Sequence, residues 1–252
     1  VEKPSTSERS PLSPTHWPAD AFAWRRSLIA FLVLALAFGA DLVLASLAAA
    51  HFGVTQSDVQ AERLSWGILI AQVVNYVILV PALLFILPWL ARRSLADLGL
   101  RLPSARAVGG GILGAIAMYA VTIGIADVQF ALTHQKPQEA ATALLTGAHD
   151  PLLAFGFGVL AVAIAPFVEE LTFRGFLFNA VLRYTPVWVA ALISGVVFGL
   201  SHGSPTAFLP LAGSGVVLAY VYYRTGSLPA SMITHALFNA VNVAQIAFGL
   251  TT

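Results

Sequence analysis

An all-α bundle of transmembrane helices is what this sequence predicts, with about seven spans in a range of six to eight. Three observations point there. Of the 252 residues, 58% are hydrophobic and 10% charged, against about 45–50% apolar and about 25% charged in a soluble domain. The mean hydropathy is +0.82. The apolar residues also fall in successive runs of the length, about 20 residues, that a hydrocarbon core demands of a helix.

Taken in order, residues 1–26 are polar and rich in Pro and Ser, and are expected to be a disordered tail. Residues 27–252 form the expected transmembrane domain. The first run, 27–50, is too long for the apolar core of a secretory signal and reads as an anchor. The second covers 68–90. The third, 107–128, opens on Gly109, Gly110 and Gly111, read as a close helix contact and not a phosphate loop because no Lys-Ser or Lys-Thr follows. The fourth, 152–184, would be about 50 Å long at ~1.5 Å per residue, well beyond a ~30 Å core, and Pro166 is expected to bend it. The last three runs are 187–203, 206–223 and 228–250.

In this arrangement Lys3, Arg9, Arg25, Arg26, Arg92, Arg93, Arg101, Arg106, Arg183 and Arg224 share one side, against Arg63 and Lys136 on the other. Basic residues favour the cytoplasmic side, so the N-terminus is expected inside. The absence of cysteine excludes disulfides, thiolate ligands and a cysteine nucleophile. No basic patch suggests a nucleic-acid partner. The expected surroundings are membrane lipid and a membrane-associated peptide or protein.

Against this apolar background, ionisable groups are costly and by default functional. Glu169, Glu170 and Arg174 form the first cluster. Glu170 and Arg174 are spaced i, i+4 for an ion pair on one helix face, whereas Glu169 points about 100° away without a local partner. His202, in Phe198-Gly199-Leu200-Ser201-His202, forms the second. With a turn near Thr185 and Pro186, Glu169 and His202 each lie ~24 Å from it along their helices, at matching depth. His235 and Asn239, again i, i+4, form the third, with Asn242 one turn beyond. By residue count His235 would sit roughly 10 Å shallower than His202, a gap that tilted or unequal helices must close.

A buried carboxylate suits general acid and base work. Glu169 can thus activate water, with imidazole sharing the proton and a His–Asn pair donating to an oxyanion. The bland readings are a buried ion-pair cluster, a packing histidine and interhelical hydrogen-bonding glue. One Arg neutralises one of two adjacent carboxylates, which weighs against the first. Asp41 and Asn75 read as packing or helix-end groups, and His16, His51, His134 and His149 as solvated residues.

The three strings resemble the motifs of the CPBP (Abi) family, which includes the type II CAAX prenyl endopeptidases. Glu169, Glu170 and Arg174 match its Glu-Glu-x-x-x-Arg, Phe198 and His202 its Phe-x-x-x-His, and His235 and Asn239 its His-x-x-x-Asn. The string Ser94–Leu100 also resembles a loop ahead of the family core, so that the likeness runs over about 92–245. The resemblance implies an intramembrane endopeptidase of a bacterial cytoplasmic membrane. Glu169 and His202 would activate water, His235 and Asn239 would form the oxyanion hole, and Glu170, Arg174 and Phe198 would support them. A metal-free glutamate enzyme is the favoured form; Zn²⁺ on Glu169, His202 and His235 is the alternative, although a His-Glu-x-x-His spacing is absent. A non-catalytic scaffold or immunity-type protein of the same fold, and a proton-coupled transporter, remain the competing classes.

Overall fold

The computed structural model describes residues 20–51, 64–138, 140–148 and 150–250. Every apolar run forms a helix: α1 (Trp24–His51), α2 (Trp66–Ala91), α3 (Ala105–Thr133), α5 (Pro151–Leu182), α6 (Val187–Ser201), α7 (Phe208–Thr225) and α8 (Leu228–Ala247). A short α4 (Ala140–Thr146), for which the hydropathy gave no signal, joins α3 to α5. No strand occurs among the described residues. Helices α2, α3 and α5 are long and apolar enough to cross a membrane, and α6 is a shorter apolar helix. The chain is an integral membrane protein built as a helical bundle. His16, Arg63, His149 and the side chain of Asp41 lie outside the described residues.

The expected bend in α5 takes a particular form. Proline has no N–H to donate and its ring crowds the carbonyl four residues back. Here a π-helical stretch, Leu160–Ile164, immediately precedes the segment Ala165–Glu170 that carries Pro166. A second π-helical stretch, Leu171–Phe178, follows and carries Arg174. Such widened turns leave carbonyls short of their usual donors. Asn179 Nδ2 lies 3.0 Å from the carbonyls of both Arg174 and Gly175, and 3.0 Å from the Tyr222 hydroxyl, which itself donates to the Leu98 carbonyl at 3.0 Å.

One end of the bundle is tied together by the loop after α2. Ser94 and Asp97 cap each other, the Ser94 hydroxyl and amide donating to Asp97 Oδ2 at 2.8 and 3.2 Å. Those donors hold the Asp97 carboxyl below the usual carboxylate range. Gly99 has φ +87°, and a Cβ there would run into the Gly226 carbonyl. Its own carbonyl accepts from the Leu228 amide at 3.2 Å, fixing the α7–α8 turn.

The expected disordered tail does not extend to residue 26. From Asp20 the chain is folded, because Ala21 and Phe22 are fully buried in the main core with Leu87 and Leu90. The Phe22 amide donates to the Leu90 carbonyl at 2.9 Å, Tyr184 donates to the Phe22 carbonyl at 3.2 Å, and Asp20 pairs with Arg26 and Arg92.

Helices α6 and α7 cross at backbone contact. A Cβ on Gly195 would lie 2.6 Å from the Ala212 carbonyl oxygen, and one on Gly215 would lie 2.7 Å from Gly195 Cα. Small residues permit this approach where lipid gives helices no hydrophobic reason to associate. The run Gly109–Gly111 does make a helix contact, through Gly111 against Ala230 of α8, with Thr234 Oγ1 donating to the Gly111 carbonyl at 2.9 Å.

Candidate active site

Helix α5 delivers the carboxylates. Glu170 and Arg174 are both fully buried, and Arg174 Nη1 lies 3.0 Å from Glu170 Oε1. The remainder of the guanidinium reaches across to α7, where Nη2 donates to the Gly215 carbonyl at 2.9 Å. That carbonyl lies within the close crossing of α6 and α7, so the glycines that bring the helices together also present the acceptor. The expected i, i+4 ion pair forms even though the intervening turn is π-helical.

Helix α8 brings His235 against both carboxylates. Its Nδ1 lies 3.1 Å from Glu170 Oε1, and its Nε2 lies 3.8 Å from Glu169 Oε2. Glu170 therefore faces two cationic or donor groups with one oxygen, and Glu169, without a partner on its own helix, finds one on α8. A carboxylate on one ring nitrogen fixes which nitrogen faces away. With Nδ1–H given to Glu170, it is Nε2 that looks into the site.

Whatever the offset expected from counting residues, His235 reaches both carboxylates of α5 and shares a cavity with His202. At the two turns, the Leu228 amide donates to the Gly99 carbonyl, while α5 continues to Leu182 and its turn carries on to Pro186. The two helix pairs are staggered, and His235 meets the carboxylates only seven residues into α8.

His202 stands just beyond the last residue of α6. Its Nδ1 is 2.8 Å from the Phe198 carbonyl and its ring lies 4.7 Å from the Phe198 ring. Phe198 connects the cluster, with its centroid 4.9 Å from the Arg174 guanidinium and 5.6 Å from the His235 ring. A cation over an aromatic face gains electrostatic attraction, so Phe198 supports Arg174 as well as the two histidines. Asn239 donates through Nδ2 to the Ala161 carbonyl at 2.8 Å, within the first π-helical stretch of α5. Asn242, the next polar position of α8, accepts from Tyr119 of α3 at 2.8 Å, so it belongs to packing.

Glu169, His202, His235, Asn239 and Phe198 all line one cavity of about 360 Å³. The sequence did not flag the rest of its polar wall. Gln72 and Tyr76 of α2 face it, with Gln72 Nε2 donating to the Tyr76 hydroxyl at 3.1 Å, and Ala141 and Leu144 of α4 line it as well. The i, i+4 pair Gln72–Tyr76 was a visible signal in an otherwise apolar run. Nothing in the seven residues of α4 announced a wall.

A zinc site would need three convergent ligands. Among the described residues no group of three or more His, Cys, Asp or Glu side chains is arranged to hold a metal ion. Glu169, His202 and His235 nevertheless share the cavity, and Nδ1 of each ring is bonded, to Glu170 in one case and to a helix carbonyl in the other, an arrangement that a metal-bound histidine also shows at its outer nitrogen.

Residues 151–241 match the family described as type II CAAX prenyl endopeptidase, Rce1-like. Over 81 residues the chain is 30% identical to a protein of Bacillus subtilis (strain 168) named "Putative membrane peptidase YdiL". That stretch is 32% of this chain and 33% of the relative, so the match spans about a third of each. No solved structure matches. The stretch from α5 into α8 that carries Glu169, His202, His235 and Asn239 thus carries the resemblance to the CPBP family of membrane proteases that its three motifs announced.

Proposed function

We propose that this protein is an intramembrane endopeptidase that hydrolyses a peptide bond by general-base activation of water, without an obligatory metal. One observation carries the reading: the four polar groups that peptide hydrolysis needs, on three different helices, line a single cavity, and Glu170 ties Arg174 and His235 together behind them. A structural ion-pair cluster has no use for the second carboxylate and second imidazole facing the same space.

In this reading Glu169 takes a proton from water as the water oxygen attacks the scissile carbonyl, and His202, which lines the same cavity, assists. The carbonyl oxygen gains negative charge. His235, its Nδ1 held against Glu170, donates from Nε2 to that oxyanion, and the Asn239 amide is the second donor. When the tetrahedral intermediate collapses, the C–N bond breaks and the proton held by Glu169 passes to the departing amine. Arg174 neutralises Glu170 and keeps it in place.

Purified protein in detergent, assayed on a quenched peptide library, should cleave. Glu169→Gln and His235→Ala should each lower the rate by about 10²–10⁴-fold. Cleavage by both variants at the wild-type rate, or an inert wild type across the library, overturns the proposal. Activity should persist after chelator treatment; loss that Zn²⁺ restores would replace the metal-free form by the zinc form.

A further inference from the structure

The bundle has two chemically different ends. The start of α1, the end of α2, the loop to α3, the α5–α6 turn and the α7–α8 turn are joined by the bonds of Phe22, Tyr184, Tyr222 and Leu228, and so lie together. This end carries Arg25, Arg26, Arg92, Arg93, Arg101, Arg106, Arg183 and Arg224, eight arginines against Asp20 and Asp97. The opposite end is made by the end of α3, the connector into α4 and the loop after His202. Gln129 and the Gln138 amide bond to Thr206 there, and Ser204 donates to the Gln138 carbonyl. Lys136 is its basic residue among the described ones.

The cavity belongs to the second end. Ile68 and Gln72 line it from the first turns of α2, Leu211 from the first turn of α7, and Ala141 and Leu144 from α4, all on the arginine-poor side. No lining residue comes from the loop or turns of the arginine face. Below the site, toward that face, the way is filled: Glu170 and Arg174 are fully buried, and Phe178, Asn179 and Tyr222 are fully buried beyond them.

Short segments rich in Arg and Lys stay on the cytoplasmic side of a membrane. We infer that the cavity opens on the non-cytoplasmic side, so that the substrates are polypeptides carrying an apolar stretch that reach the site after translocation across the membrane. This rests on the protease reading for the word substrate, while the sidedness stands on charge and cavity alone. The reaction that supplies the substrate is then export or membrane insertion of a polypeptide, and cleavage follows it.

The chain has no cysteine, so single substitutions report cleanly. Ala141→Cys at the cavity wall, Gln135→Cys in the exposed connector between α3 and α4, and Arg101→Cys on the arginine face would be treated in intact cells with a membrane-impermeant maleimide, then again after permeabilisation. Labelling of the first two in intact cells, and of Arg101→Cys only after permeabilisation, is the expected pattern. Labelling of Arg101→Cys alone in intact cells overturns the orientation. Ala141→Cys that behaves like Arg101→Cys, or that resists labelling even after permeabilisation, overturns the placement of the mouth. Peptidase assay of the detergent-purified protein separates the two readings, since it has no sides: inactivity there with the expected labelling removes the protease and leaves the opening.

Discussion

At the residue scale, a single carboxylate organises the site. Glu170 Oε1 receives Arg174 at 3.0 Å and His235 at 3.1 Å in full burial, and a buried ion pair of this kind contributes little by itself yet is costly to break from one side. Arg174→Met should therefore destabilise the protein by about 3–5 kcal/mol, because it removes the guanidinium counter-charge from the buried Glu170 and leaves His235 alone against it. The double variant Glu170→Gln, Arg174→Met should recover much of that loss. Thermal unfolding of the detergent-purified proteins measures both; a double variant no more stable than Arg174→Met would show that the loss is one of packing against Phe198 and not of charge. The pair was legible in the sequence from its spacing. The bond from Glu170 to His235 was not, because it joins residues 65 positions apart on helices whose stagger no residue count supplies.

At the scale of elements, two loops and one crossing set that stagger. The α6–α7 crossing depends on Gly195, where a Cβ would press on the backbone carbonyl of Ala212, an atom that cannot move aside as a side chain can. Gly195→Val should cost about 1–3 kcal/mol by overpacking and should also weaken the Arg174 contact with Gly215. An unchanged unfolding temperature would mean that the two helices separate at little cost. The Ser94–Asp97 cap holds the loop that pins α8. Its carboxyl titrates below its unfolded value, so its contribution is complete above the unfolded pKa and disappears as pH falls through the folded one. The stability difference between wild type and Asp97→Asn should thus be present at neutral pH and shrink below about pH 4. A difference that grows on acidification contradicts the cap. The π-helical stretches of α5 belong to this scale too. Pro166 indicated a distortion, but its resolution into widened turns depends on Asn179 and Asn239 satisfying the freed carbonyls.

At the scale of the whole molecule, the bundle separates an arginine-rich end, closed by buried aromatic and polar side chains, from an end where the cavity begins. The labelling pattern described above tests this separation directly, because all three probes sit on one protein and report two sides of one membrane. Burial of Ala21 and Phe22 adds a consequence for the arginine end: the segment just before α1 is part of the core that closes it, although its composition reads as tail. Two fully buried residues among polar neighbours are too few to shift a compositional signal.

The sequence by itself determined the class of the molecule, the positions of seven helices and the residues whose charge is out of place in lipid, since hydrocarbon thickness and the cost of buried charge act on each segment separately. The tertiary structure alone decided which of those residues meet. His235 reaches Glu170, Phe198 links three charged or aromatic neighbours, and α2 and α4 complete the wall, because helix stagger, backbone crossing at glycine and the path of a connecting loop are properties of pairs of segments. The direction in which the cavity opens took both: arginine positions along the chain, and a fold that puts the site at the end away from them.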